Sequence, residues 1–427
     1  MSYISYREVI GKLQMLQEYS NLLTDYNCDE RQLSDFRDTV SKQISAVQKH
    51  MDDLLLHSAD SNEPDDYNAI VSLIQGGNEK QPAENLIPKI KGALIGRFAG
   101  CTLGTPVENW SVENMQKKAE YEGGSFPPTD YWKTVGEPWR THYGETWLTA
   151  QRDLMCGVPR DDDVTYTLMS LLIMERYGKS FTTDDVGAFW KEYLPMACTA
   201  EEMALDNLRK GVPAKQAAVH NNPYANLIGA LIRADGFGYA NAGDPHAAAK
   251  AAYNDAFLTH RRDGIYGEML FAAAIAAAFT CDDGVEAVKT GMREIPLTSK
   301  LYEAMQWTLS VLPGIGDIYT GRKLVDEKFP GMHCVHTINN ACLILIALHL
   351  GQNDVGKTIS AAIGLGLDND CTAATAGSIA GAIAGEEKIQ PHWSAPFNDR
   401  VRTYINGYPE FSIDDVARRF AKLNKLR

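Results

Sequence analysis

Glycine recurs every fourth residue in two stretches of this chain, at Gly92, Gly96, Gly100 and Gly104 and again at Gly377, Gly381 and Gly385. In a helix, a spacing of four puts the glycines on one face, where the missing side chains let another backbone approach closely. Each glycine costs a helix interior roughly 1 kcal/mol relative to alanine, so two such rows need compensation. Close helix packing around a compact centre supplies it, which places both helices near a core. The surrounding text agrees. From Ile87 onward, helix-friendly segments rich in Ala and Gly dominate: Ala247 to Ala256, Tyr266 to Phe279, Cys342 to Leu350 and Thr358 to Leu367. Alternating strand patterns are nearly absent, so the expected fold class is all-α, a multi-helix bundle.

Residues 1–85 read differently. Val9, Leu13, Leu16 and Leu23 form one apolar stripe at helical spacing, and Leu33, Phe36, Val40, Ile44, Val47, Met51 and Leu54 form a second. Together they predict a helical hairpin. The polar stretch from His57 to Asp66 reads as a connector, and a short helix follows over Tyr67 to Gln75. The expected division is a helical extension over 1–85 and a second domain over 86–427. Packing, oligomerisation and docking of a partner protein are the roles open to the extension. The segment Trp110 to Gln151, with Trp110, Trp132, Trp139 and Trp147 among Gly, Pro and Tyr, reads as a long irregular excursion. Its aromatics suit either stacking on a base or covering the core.

Composition narrows the function classes. Of 427 residues, 44% are hydrophobic and 22% charged, the balance of a globular protein with a sizeable core. A formal net charge of −14 argues against broad nucleic-acid or anionic-membrane binding. Eight cysteines lie scattered without CxxC spacing, so reduced thiols in a cytoplasmic protein are expected rather than a zinc site or a disulfide framework. The N-terminal residues carry no apolar signal core, and no uncharged apolar run reaches about 18 residues, so no membrane span is expected.

The sharpest chemistry lies in two acidic clusters. Asp161, Asp162 and Asp163 run straight into an apolar helix, and Asp368 and Asp370 open the second glycine-rich helix. One carboxylate at a helix start caps free amides for roughly 0.5–2 kcal/mol. Three in succession are harder to explain that way, because like charges repel and burying each costs several kcal/mol without a counter-charge. A hard divalent cation removes the conflict, since Mg²⁺ and Mn²⁺ favour oxygen ligands. Should the clusters converge, five carboxylates would meet, enough to hold two bridged cations. Helix capping alone is the competing reading.

At this point the residues match a known pattern. Lys91-GALIGRFAGCTLGTPVE-Asn109, Asp161-DDVTYTL-Leu168, Ile228-GALIRADGFGYANAGDP-His246, Phe257-LTHRRDGIYGEML-Phe271 and Leu365-GLDNDCTAATAGSIAGAIAG-Glu386 resemble, in order, five motifs of the ADP-ribosylglycohydrolase family. The resemblance spans about residues 88 to 395 and leaves the hairpin uncovered. It implies an orthogonal all-α bundle with a binuclear centre of two divalent cations, Mg²⁺ foremost and Mn²⁺ as the alternative, at the base of a cleft.

Carried over by motif position, the metal ligands are Asp161, Asp162, Asp163, Asp368 and Asp370. Cys371 stands where a hydroxyl residue is common, and Thr372 is the alternative oxygen donor. Glu108, Asp163 and Asp370 are the expected catalytic acids. His260, Tyr266, Gly267, Gly229, Ala230, Gly104 and Thr105 are the expected substrate contacts, with the amides of Gly229 and Ala230 facing a diphosphate or, on the competing reading, packing tightly. The implied reaction is metal-assisted hydrolysis of the bond joining ADP-ribose to a protein side chain or another modified acceptor. Nucleic acid enters only as such an acceptor. The alternative keeps the fold without the reaction: an ADP-ribose-binding or interaction protein, such as an immunity-type partner of an ADP-ribosyltransferase acting through the extension.

Overall fold

The computed structural model describes residues 6–56, 60–133, 141–142 and 145–426. By internal contacts the chain forms two compact units. The smaller holds Met1–Asp60 with Phe329–Met332, and the larger holds Ser61–Lys328 with His333–Arg427.

The smaller unit contains the expected hairpin, helix α1 over Arg7–Asp25 and helix α2 over Glu30–Leu56. The turn between them uses Asn27 with a positive φ of 59°, and Asp29 accepts a hydrogen bond from the amide of Arg31. No residue of α1 is buried. Tyr19, Tyr26, Phe36 and Leu54 are each at least 60% exposed, because two helices alone cannot cover two apolar stripes.

The larger unit is helical almost throughout. Its strands among the described residues are two short antiparallel pairs, Thr141–His142 with Glu145–Thr146 and Arg400–Ile405 with Tyr408–Ser412. The second pair was not expected. In it Val401, Thr403 and Ile405 turn inward at a spacing of two, a pattern the flanking arginines obscure. The four Ala-rich segments named above form helices Pro245–Ala256, Asp263–Ala278, Thr337–Gly351 and Val355–Leu365, with Phe279, Gly366 and Leu367 falling just past the helix ends. Every residue of Asp263–Ala278 is buried, which places that helix at the centre of the core. No helix among the described residues is long and apolar enough to cross a membrane, and the eight cysteines form no disulfide.

Residues 61–66 of the stretch read as a connector belong to the larger unit. Glu63 accepts from the amide and Nζ of Lys300 at 2.8 and 3.0 Å, Asp65 accepts from the amide of Arg262 at 2.8 Å, and Pro64 offers its carbonyl to Tyr266. The contact boundary therefore lies at Asp60 rather than at residue 85. The excursion from Trp110 also differs from expectation, since it holds a helix over Val112–Tyr121. Trp132 is buried there and donates to the carbonyl of Leu103, covering the end of a core helix; Trp139 lies outside the described residues.

The glycine rows meet each other. Helix α3 (Leu86–Gly104) crosses the helix at Asn369–Ala384 backbone to backbone. A Cβ at Gly96 would come within 3.0 Å of the Gly377 carbonyl, and one at Gly92 would meet the Gly381 carbonyl in the same way. A Cβ at Gly100 would strike the backbone of Ala373, and one at Gly104 the backbone of Asp370. Only glycine permits this contact, and it sets the end of α3 directly against the second acidic cluster.

Candidate metal centre

The first cluster sits at the start of helix α4, Asp162–Tyr177. Asp161 is its N-cap and accepts from the amide of Asp163 at 3.1 Å, so capping accounts for one carboxylate. Asp162 stands half-buried beside it. Asp163 points inward and is fully buried; its Oδ1 meets Arg97 Nη2 at 3.1 Å, while its Oδ2 has no hydrogen-bond partner.

The second cluster opens helix α5, Asn369–Ala384, after a turn in which Gly366 and Leu367 both take positive φ, 73° and 62°. That turn is pinned from two sides. Asn340 Oδ1 accepts from the amide of Asp368, and the carbonyl of Leu367 accepts from the amide of Asn109. The second bond ties the Glu108 turn to the Asp368 turn.

The two clusters converge. Ligand atoms of Glu108, Asp368 and Asp370 lie within 4.8 Å of one another, as do those of Asp163, Asp370 and Cys371 and those of Cys101, Asp161 and Asp163. The triads interlock, because Asp370 belongs to the first two and Asp163 to the last two. Burial pushes Asp161, Asp368 and Asp370 well above the usual carboxylate range. The charge of Asp162 adds to the effect at Asp161, and that of Glu108 adds to it at Asp368 and Asp370. Asp163 is pushed up to about 7 by burial, with Arg97 opposing the rise. Arg97 does not neutralise the pocket. Its Nη1 is bound to Asp235 at 2.6 Å, so the guanidinium is already matched by a carboxylate outside the three triads.

The donor set fits hard divalent cations. Carboxylate oxygens dominate it, and Asp163 Oδ2 and Asp370 Oδ1 are buried without hydrogen-bond partners. Such orphaned charges cost several kcal/mol unless a cation meets them.

The other expected residues divide. Gly104 abuts Asp370, and Thr105 Oγ1 lies 3.4 Å from Asp161 Oδ2, so both border the centre. Thr372 is buried with its hydroxyl on the carbonyl of Asn369 at 3.4 Å. His260 lies outside the triads, fully buried, with Nδ1 at 2.7 Å from Thr259 Oγ1. Burial, reinforced by Arg233 and Arg261, holds its pKa well below the ordinary histidine value, so it is neutral. Gly229 is pressed against the carboxylate of Glu201, and neighbouring Ala230 is buried. Gly267 gives room to Thr337, and the Tyr266 hydroxyl donates to Pro64.

Sequence reasoning missed two buried arginines that organise these parts. Arg97 binds Thr167 Oγ1, Asp235 Oδ2 and the carbonyls of Asp163 and Ile232 at 2.5–2.8 Å. Arg233 binds Glu201, Asp255, Thr259 and, at 3.5 Å, Glu268. Burial pushes Glu201 up to about 7 against the pull of Arg233, with the charge of Asp162 among the smaller contributions. The available signal was a lone arginine just after the same Gly-Ala-Leu-Ile run in each of two Gly- and Ala-rich motifs.

Residues 82–425 match the family model for ADP-ribosylglycohydrolases. The chain belongs to the ADP-ribosylglycohydrolase family. A solved structure titled as an ADP-ribosylglycohydrolase-related protein complex shares the fold, with a TM-score of 0.52 and 16% identity over 80% of this chain and 99% of that one. No curated protein matches. The ADP-ribosylglycohydrolase match starts beyond the hairpin and takes in all three triads, so the glycohydrolase family and the acidic centre coincide in the larger unit.

Proposed function

We propose that this protein hydrolyses the glycosidic bond between ADP-ribose and a modified acceptor, a protein side chain foremost, with two divalent cations held in the acidic centre. One observation carries the reading: three interlocking ligand triads inside a glycohydrolase-family domain, two of whose buried carboxylate oxygens have no partner. Mg²⁺ is the expected ion and Mn²⁺ the alternative. Bound there, the cations would supply Lewis-acid polarisation and a binding point for ribose hydroxyls.

The chain's own residues do the remainder. Asp161, Asp162, Asp163, Asp368 and Asp370 hold the positive charge in place. Arg97 fixes Asp163 Oδ1 and so aims Oδ2 into the pocket. Glu108 is half-buried, and its Oε1 accepts from Asn109 Nδ2 at 2.9 Å; one of its oxygens would face a cation beside Asp368 and Asp370 while the other takes a proton from an attacking water. The carboxylates of Asp163 and Asp370 face the positive charge that develops on the sugar as the bond breaks. Gly104 and Thr105 shape the near wall. His260, Tyr266, Gly267 and Ala230 are buried, Gly229 is half-buried, and all five lie outside the triads, so they would act through the packing of their own segments. Thr372 stays a candidate oxygen donor, since a hydroxyl that donates to the carbonyl of Asn369 keeps its lone pairs.

The test incubates protein carrying ADP-ribose on arginine or on serine with the enzyme, with and without EDTA. Release of ADP-ribose that EDTA abolishes supports the reading. Release that EDTA leaves untouched, or none from either linkage, overturns it.

A further inference from the structure

Only one of the three triads is all oxygen. Glu108, Asp368 and Asp370 present carboxylates alone, and Glu108 gives that triad a half-exposed member. The other two each contain a thiol and are fully buried: Cys371 with Asp163 and Asp370, and Cys101 with Asp161 and Asp163. The thiol-bearing triads are not equivalent. Around Cys101, the carboxylate of Asp161 is engaged by the amide of Asp163, and the sulfur itself lies 3.8 Å from Thr105 Oγ1. Around Cys371, both carboxylates keep an oxygen without a partner, Asp163 Oδ2 and Asp370 Oδ1. Among the described residues these are the buried carboxylate oxygens of the centre without a partner; the Cys371 triad holds both, and the Cys101 and Glu108 triads share one each.

Hard cations such as Mg²⁺ gain little from sulfur, whereas Zn²⁺ and Co²⁺ accept mixed sulfur and oxygen ligands readily. We infer that the two cation positions are chemically unequal, an outer one of Glu108, Asp368 and Asp370 for a hard cation, and an inner one of Asp163, Asp370 and Cys371 for a thiophilic divalent cation. The inference rests on the reading of the centre as a cation site and refines it. Asp370 is the shared ligand. The inner ion is held by two carboxylate oxygens and one sulfur, and the thiol proton passes to solvent as the sulfur–metal bond forms. Arg97 bonds Asp163 Oδ1 and leaves Oδ2 without a partner, so it restrains that carboxylate while one oxygen stays available to the inner position.

Substoichiometric Co²⁺ added to the whole protein tests this by absorption. Sulfur ligation gives a near-ultraviolet sulfur-to-cobalt charge-transfer band, which Cys371→Ser should abolish and the exposed-cysteine variant Cys156→Ser/Cys198→Ser should keep. Mn²⁺ binding, followed by its paramagnetic resonance signal, reports the outer position separately and should survive in Cys371→Ser. If that variant does not fold, X-ray absorption of the Zn²⁺-loaded wild type replaces it. One sulfur at about 2.3 Å among oxygens at about 2.0–2.2 Å is then the expected shell. A band that persists in Cys371→Ser, or a Zn²⁺ shell without sulfur, overturns the inference. Mn²⁺ binding without any cobalt–sulfur band overturns the inequality but leaves the hydrolase reading standing. Failure of both ions to bind overturns the two together.

Discussion

Asparagine at position 370 should make the cation-free protein more stable and strip it of the stability that cations confer. Asp370 lies within 4.8 Å of Glu108 and Asp368 in one triad and of Asp163 in another. Two unit charges at that separation repel by about 3.5 kcal/mol at an effective dielectric constant of about 20. Burial raises the pKa of Asp368 and Asp370 well above the ordinary value. Bound protons therefore relieve part of the repulsion at neutral pH, and the expected gain in EDTA is about 1–3 kcal/mol. The new amide also donates to neighbouring carboxylate oxygens. For the wild type, a cation at a hundred times its Kd adds about 2.7 kcal/mol; for Asp370→Asn, which lacks the shared ligand, it should add much less. Urea unfolding followed by helical circular dichroism, in EDTA and in saturating Mg²⁺ or Mn²⁺, measures both effects. The advantage of the variant in EDTA should vanish or reverse once the cation is present. A variant less stable than wild type in EDTA, or one that gains as much from the cation, would refute the electrostatic argument.

Other expectations follow from the same geometry. Arg97→Met leaves Asp163 and Asp235 buried without their shared counter-charge, which should cost about 3–5 kcal/mol; an unchanged urea midpoint would contradict this. Burial and the neighbouring Glu63 charge raise Asp263 to about 7. The folded state therefore keeps a proton that the unfolded chain loses near pH 4, and stability falls as pH rises from about 4 to about 7. Asp263→Asn should flatten that slope, and a slope equal to wild type would sink the assignment. Removing residues 1–60 takes away the hairpin, and with it all of the smaller unit but Phe329–Met332, and no member of the three triads. Cation-dependent release of ADP-ribose should persist in the truncated protein, and its loss in a protein that keeps its helical content would show that the centre depends on the hairpin.

Much of this architecture was legible because it is written in local periodicity. The heptad-like stripes of α1 and α2, the Ala-rich buried helices and the glycine rows each carry their signal within about twenty residues. The acidic clusters were legible for a different reason. Consecutive aspartates before an apolar helix conflict with burial unless something compensates them, and the structure does bury Asp161, Asp163, Asp368 and Asp370. What stayed hidden depends on partners far away in the chain. Glu63 and Asp65 look like residues of a polar turn, and only Lys300 and Arg262, 237 and 197 positions on, reveal them as anchors. Arg97 reads as an interruption of an apolar run until Asp163 and Asp235 are seen around it. His260 and Tyr266 sit in a motif that points to substrate, and the bonds that hold their side chains, to Thr259 and to Pro64, were not legible.

The glycine contact between α3 and α5 sets how the cation pocket can respond to its occupant. Where side chains separate two helices, rotamer changes can absorb a misfit; here the backbones themselves touch, and the interior is as dense as a molecular crystal. One end of that contact sets Gly104 against Asp370, and Glu108 follows one short turn after Gly104, so the proposed outer ligands would hang on one stiff frame. If the proposed cations bind, an ion of the wrong radius would meet a gauge that does not stretch, and discrimination among divalent ions would become a property of two rows of absent side chains.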